Sequence, residues 1–338
     1  MTRHTYKSAG VDLEAARRVK DRIRDIVTPT HGPQVLGGLG GFGGLFHLTG
    51  YRDPVLVAST DGVGTKLKVA SLVGRYDTIG QDLVALCVND VVVCGARPLF
   101  FLDYVALGDL ARTVVEDLVA GMARTCADVG CALIGGETAQ LPGLYAPGDF
   151  DLAGFVVGCV ERDRIIDGSA VREGDLIVGL PSSGLHTNGF SLVRRVFAVD
   201  QNPAVLERTY PELGRSLGEE LLEPHRPYWP RVAAVLDCVT AMAHITGGGL
   251  VENVPRVLPQ GMAARFQRGT WTVPPIFTLI QEVGGVEEAE MYRVFNMGLG
   301  MVLLCHPDQA TRVLSRLPGS AVVGRVEAAR GPERVILD

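Results

Sequence analysis

The chain has 338 residues, 47% of them apolar, and a formal charge of −6; it is long enough for two ordinary domains and is a poor match to a broad nucleic-acid binder, which needs a basic surface. No apolar run reaches membrane-spanning length and residues 1–6 lack a signal-peptide core, so no membrane contact and a cytoplasmic location are expected. Seven scattered cysteines without a Cys-x-x-Cys pair favour buried reduced thiols over disulfides or zinc.

In chain order, Leu13, Val19, Ile23 and Ile26 predict a short amphipathic helix within residues 11–27. A glycine-rich run follows over 37–46, in which Gly38, Gly40 and Gly43 match Gly-x-Gly-x-x-Gly. A dinucleotide site would need a strand before and a helix after that motif; residues 33–36 are short, and Thr49-Gly50 interrupts soon after Phe46. Leu39, Phe42, Leu45 and Phe46 would be costly to leave in water, so the run is expected to be a close-approach loop able to fold over phosphates, with Gly40, Gly41, Phe42 and Gly43 at its centre.

Residues 55–66 read as a buried strand, 55–59, that ends in a site: Asp61, then Gly62 and Gly64, then Thr65 and Lys66. A carboxylate at a strand end can hold Mg²⁺, glycines let backbone amides approach a phosphate, and a lysine neutralises remaining charge. Alone, the same residues could serve only a hairpin turn. Residues 81–96 are long enough for a helix and apolar nearly all round, yet Asn89 and Asp90 stand in the middle; a buried Asp needs a hydrogen bond, a partner or a metal.

A strand interrupted by Asp103 is expected over 99–107 and a helix capped by Thr113 over 113–129. A strand over 131–134 ends in Gly135-Gly136-Glu137-Thr138. Asp61, Asp90 and Glu137 thus fall at element ends or polar breaks, as oxygen ligands of a hard cation would. Charged turn residues over 161–173 mark a division into domains 1–165 and 166–338. The second half opens with a strand over 175–180, then Ser182, Ser183, His186, Thr187 and Asn188 before a helical run from Leu192, a pattern that suits a phosphate or substrate turn, although a lone His is more often structural. A glycine turn at 247–249 precedes a helix over 251–257; helices over 276–283, 286–292 and 307–317 and strands over 301–304, 321–326 and 335–337 complete an alternating pattern, so α/β or α+β is expected for both halves.

Several phrases are specific together: Lys7-Ser-Ala-Gly-Val-Asp12, the run 37–46, 59–66, Cys87-Val-Asn-Asp90, Pro98-Leu-Phe-Phe-Leu-Asp-Tyr104, Gly135-Gly-Glu-Thr138, 181–191, 244–249 and Phe295-Asn-Met-Gly298. In this order and across the whole chain they resemble the phosphoribosylformylglycinamidine cyclo-ligases. The resemblance implies the two-domain fold of that ATP-binding superfamily, a homodimer whose N-terminal sheets join into a barrel, and an α/β C-terminal domain. It also implies ATP-dependent ring closure of formylglycinamidine ribonucleotide to aminoimidazole ribonucleotide with Mg²⁺, in purine biosynthesis. On that basis Asp61, Asp90 and Glu137 are expected to hold Mg²⁺. The expected nucleotide contacts are Gly40, Gly41, Phe42, Gly43, Gly62, Gly64, Thr65, Asn89 and Gly136. Lys66 is expected on phosphate and His186 at the transferred phosphoryl, with Ser182, Ser183, Thr187 and Asn188 on the substrate. The chain departs from the family's usual wording at Ala15-Ala16-Arg17 and at Arg24, where a lysine is usual. A selenophosphate synthetase, a thiamine-monophosphate kinase or a non-catalytic nucleotide binder is the alternative; no cysteine precedes Cys87, which disfavours the first.

Overall fold

The computed structural model describes residues 13–109 and 112–338, so the phrase at 7–12 lies outside the described residues. The N-terminal half runs α1 (Leu13–Val27), β1 (Pro54–Gly62), α2 (Lys66–Val73), α3 (Asp77–Val92), β2 (Arg97–Leu107), α4 (Arg112–Val129), β3 (Ala132–Gln140) and β4 (Phe150–Glu161). Its sheet has the order β1-β4-β2-β3, with β2 and β3 parallel and the other pairs antiparallel. Strand side chains alternate between faces, and here the two faces differ. The inner face carries α3, whose Leu83, Val84, Cys87, Val88 and Val91 are fully buried. The outer face leaves Leu56, Tyr104 and Phe155 exposed.

The C-terminal half is built on a second sheet of β5 (Leu176–Pro181), β6 (Ala241–His244), β7 (Met262–Phe266), β8 (Leu299–Cys305), β9 (Ala321–Ala328) and β10 (Val335–Leu337), in the order β6-β8-β5-β9-β7-β10. All pairs are antiparallel except β7 with β10. The helices α5 (Phe190–Val196), α6 (Pro275–Gly284) and α7 (Glu288–Val294) belong to this half, whose core includes the fully buried Phe266, Phe277, Phe295 and Tyr228. Mixed α/β architecture is therefore found in both halves.

The principal departures from expectation concern strand length. β1 runs to Gly62 and β3 to Gln140, so Asp61, Gly136 and Glu137 are ladder positions rather than turn residues. Nor does Asp103 interrupt β2. Cross-strand pairing overrides local turn preference here: Asp61 pairs with Gly154, Gly154 with Asp103, and Asp103 with Gly136, in one row across the sheet. The helix expected over 251–257 stops at Asn253 and continues as a 3-10 turn, because Pro255 has no N–H for an α-helical bond.

Candidate functional site

The inner face of the first sheet gathers the acidic centre. Val55, Val57 and Ser59 alternate with exposed Leu56, Ala58 and Thr60, which puts Asp61 on the same side as α3. Ser59 Oγ donates to Asp90 Oδ2 at 3.1 Å, and Asp61 Oδ1 accepts from the Gly62 backbone N–H at 2.7 Å. Burial pushes the Asp61 carboxyl above the usual range; the Gly62 bond opposes this, and the negative charge of Asp90 adds to it. Two like carboxylates held this close suit a shared divalent cation, which would relieve their repulsion. The other Asp90 oxygen, Oδ1, is 2.9 Å from His244 Nδ1, so the acidic centre is tied directly to the C-terminal sheet.

Glu137 does not join Asp61 and Asp90 within one chain. It pairs with Tyr104, whose side chain is on the outer face, whereas Asp103 and Gly136 share the inner one. β1 and β3 are also the two edges of the sheet, three strand spacings or about 14 Å apart. The Gly136 position has a structural cause: a Cβ there would collide with Asp103 Oδ1, so the glycine makes room for that carboxyl.

Lys66 is also corrected. Expected on phosphate, it is fully buried, 2.8 Å from Asp82 Oδ2, and donates to the carbonyl oxygens of His186 and Glu223. Asn89 is engaged in the same way, since its Oδ1 accepts from the Tyr228 backbone N–H and its Nδ2 donates to the Arg226 carbonyl, leaving little for a nucleotide. Asp82 Oδ1 accepts from the His225 backbone N–H. Asp82 and Asn89 are seven residues apart, two helical turns, and so share one face of α3 directed at the C-terminal half. Asp82 is not among the expected site residues, although a second buried acid in so apolar a helix is a signal the sequence carries.

The loop from Pro181 to Gly189 forms the opposite wall. Ser183 Oγ, expected on substrate, donates its proton internally to the Pro224 carbonyl at 2.5 Å, so only its lone pairs face outward for a ligand. Thr187 Oγ1 lies 3.4 Å from His225 Nδ1. Ser182 Oγ, His186 Nδ1 and Asn188 Nδ2 are buried without partners. His186, His225 and His244 form a cluster in which burial pushes the first two rings well below the usual imidazole range. Their ring nitrogens lie within 4.8 Å of one another, close enough for a cation on distance alone. Orientation opposes it: the His186 and His225 rings stack at 3.9 Å and 18° from parallel, so their in-plane lone pairs run side by side, and His225 Nε2 and His244 Nε2 are 3.0 Å apart, a hydrogen-bond separation. His225 is likewise absent from the expected site; no local pattern distinguishes it, and only the fold brings it there.

The nucleotide contacts expected near Asp61 are divided between two places. Gly62, Gly64 and Thr65 adjoin it, with Thr65 Oγ1 3.1 Å from Ser191 Oγ across to α5. Gly40, Gly41, Phe42 and Gly43 lie in a loop by the Arg24 guanidinium, and the adjoining Gly44 sits against Ile134 of β3, at the far edge of the sheet. Phe42 and Leu45 are exposed there, contrary to the expectation that they pack, while Phe46 packs against the Phe100 ring.

Two mixed sheets joined in this way match the AIR synthase class over both halves: the AIR synthase related protein N-terminal domain matches residues 48–160 and the C-terminal domain residues 172–336. A phosphoribosylformylglycinamidine cyclo-ligase from Desulfitobacterium hafniense is 52% identical over 93% of both chains, and one from Thermoanaerobacter pseudethanolicus is 48% identical over 96% of this chain and 98% of its own. The chain belongs to the phosphoribosylformylglycinamidine cyclo-ligase family. Among solved structures, thiamine-monophosphate kinase from Stenotrophomonas maltophilia (TM-score 0.69, 19% identity, 94% of this chain and 95% of that one) and hydrogenase maturation protein HypE in complex with ATP (TM-score 0.66, 17% identity, 98% and 93%) share the fold.

Proposed function

We propose that the chain closes the imidazole ring of formylglycinamidine ribonucleotide, giving aminoimidazole ribonucleotide, ADP and phosphate, as a cytoplasmic step of purine biosynthesis. The observation that carries the reading is the junction itself: Asp61 and Asp90 lie close together on one side, a loop of buried, unpartnered polar groups on the other, and hydrogen bonds run from Asp90 through His244 and His225 to Thr187 of that loop. The formyl oxygen forms a bond to the γ-phosphorus of ATP as the bond to ADP breaks. A substrate nitrogen then forms the ring C–N bond, loses its proton, and phosphate leaves with the C–O electrons. Because the attack is intramolecular, positioning can supply effective molarities of order 10⁵ M or more. Mg²⁺, held by Asp61 and Asp90, would neutralise phosphate charge. Ser182, Thr187 and Asn188 would grip the substrate, and His186 would face the reacting oxygen.

The reading includes a homodimer. The outer face of the first sheet is apolar and open at Leu56, Tyr104 and Phe155; packing two such faces together would bury it, and Glu137 lies on that same face, where a second copy could meet it. Among the described residues no helix is long and apolar enough to cross a membrane.

The test is ADP release by the purified protein with Mg-ATP, with and without formylglycinamidine ribonucleotide, alongside detection of aminoimidazole ribonucleotide. One new ring per substrate-dependent ADP supports the proposal. ATP binding without such turnover transfers the chain to another activity of the fold.

A further inference from the structure

We infer that His186 meets the reacting formyl–phosphoryl group as a neutral imidazole that donates a hydrogen bond from Nδ1, without transferring a proton. The inference rests on the cyclo-ligase reading and specifies how one residue serves it. The Ser183 backbone N–H lies 3.2 Å from His186 Nε2. A main-chain N–H can only donate, so Nε2 carries the lone pair and the neutral ring carries its proton on Nδ1. That Nδ1 is buried and has no partner. Native structures satisfy nearly all such groups, so a buried donor left alone beside a site marks the place of a missing acceptor.

The rest of the surroundings hold the ring in this state. Its plane is fixed by the stack on His225, its backbone by a left-handed conformation (φ 60°), and its own carbonyl by the Lys66 ammonium. On the far side a side chain at Gly300 would collide with both His186 Cε1 and the Tyr228 hydroxyl, so the glycine leaves the ring its space. The groups acting on the ring are His244, Lys66 and Arg226, all of which oppose a positive charge on it, with His225 and Tyr228 as its ring neighbours. An imidazolium would also set its Nε2–H against the Ser183 N–H. Ser182 Oγ and Asn188 Nδ2, unpartnered on the same loop, add donors suited to oxygen.

The chemistry favours a donor over an acid. The formyl oxygen must attack phosphorus with a lone pair, and a full proton would occupy it. A neutral N–H orients that oxygen, or a phosphoryl oxygen, and stabilises charge as it develops, while His186 ends each turnover with the proton it began with.

Two measurements test this. In full-length protein labelled with ¹⁵N-histidine, with His186 assigned by its loss in His186→Asn, Nδ1 should be protonated and Nε2 unprotonated from about pH 6 to about pH 8.5. The Nδ1–H signal should move on adding formylglycinamidine ribonucleotide with a non-hydrolysable ATP analogue. In kinetics, His186→Asn, whose amide nitrogen falls near Nδ1, should keep kcat within about tenfold, while His186→Gln, whose nitrogen falls near Nε2, should lose about 10²- to 10³-fold. Thermal melts establish that both variants are folded, since Asn tolerates the left-handed backbone better than Gln. An imidazolium or Nε2–H tautomer, an Nδ1 signal indifferent to substrate, or a folded Gln variant that outperforms Asn overturns the inference. None of these results would alter the one-to-one yield of ADP and ring, so the two readings fail separately.

Discussion

The Lys66 ammonium and the Asp82 carboxylate lie 2.8 Å apart with neither side chain exposed, and the pair is bonded on both sides to the main chain of the C-terminal half. Burial pushes the lysine down and the aspartate up to about 6, with mutual attraction opposing both shifts. A buried pair contributes little net stability over an apolar replacement, but removing one member strands the other. Asp82→Ala should therefore cost about 3–5 kcal/mol in urea unfolding. The double variant Lys66→Met with Asp82→Leu should recover much of that loss. A single variant as stable as the parent would show that water reaches Lys66.

The acidic centre gives a prediction of opposite sign. Asp61 is strained by burial and by Asp90, so Asp61→Asn should melt at or above the parent temperature at pH 7 without metal, yet show no stabilisation by Mg-ATP and no turnover. Asp90→Asn should also lose turnover, with an added structural effect because Asp90 orients His244. Full activity in either variant would remove the metal assignment.

Asp103 supplies a pH dependence. Burial raises its carboxyl to about 7, whereas in the unfolded chain it titrates near its ordinary value of about 3.9. Between these values the folded chain holds a proton that the unfolded chain has lost, so this group's contribution to stability declines as pH rises from about 4 to about 7 and is level above that. Asp103→Asn should flatten that decline in unfolding free energy measured across the range. Its contact with Gly136 adds a second test: Gly136→Ala should destabilise the fold, and adding Asp103→Ala should recover only the part of that loss due to the Asp103 carboxyl, since the Asp103 backbone carbonyl also crowds the new Cβ.

If Glu137 acts across subunits, two inactive variants can complement each other. Asp61→Asn and Glu137→Gln chains, unfolded and refolded together, should regain about a quarter of parental activity, since about half of the dimers are mixed and each mixed dimer has one intact site. No recovery, with mixed dimers demonstrated by mass, would place Glu137 outside the site.

Much of this was legible in the chain. The apolar helix holding Asn89 and Asp90, the strand leading to Asp61 and the polar loop around His186 follow from local patterns of burial and glycine. What local patterns could not give was direction. Glu137 and Asp61 look equivalent as carboxylates after apolar strands, but sheet order and register put them on opposite faces and edges. Lys66 resembled a phosphate ligand because its partner Asp82 lies sixteen residues away, and the bonds that commit it come from residues more than a hundred positions later. His225 had no local signature at all, since its neighbours in space come from α3, the Pro181–Gly189 loop and β6.

The side chains of Lys66, Asp82 and Asn89 reach across to main-chain atoms of His186, Glu223, His225, Arg226 and Tyr228. A peptide carbonyl or amide is the same whatever residue supplies it. The grip of one half on the other thus survives replacement of almost any side chain in those loops, while the loops remain free to change what they recognise. A fastening of this kind lets a lineage exchange substrates without rebuilding its frame.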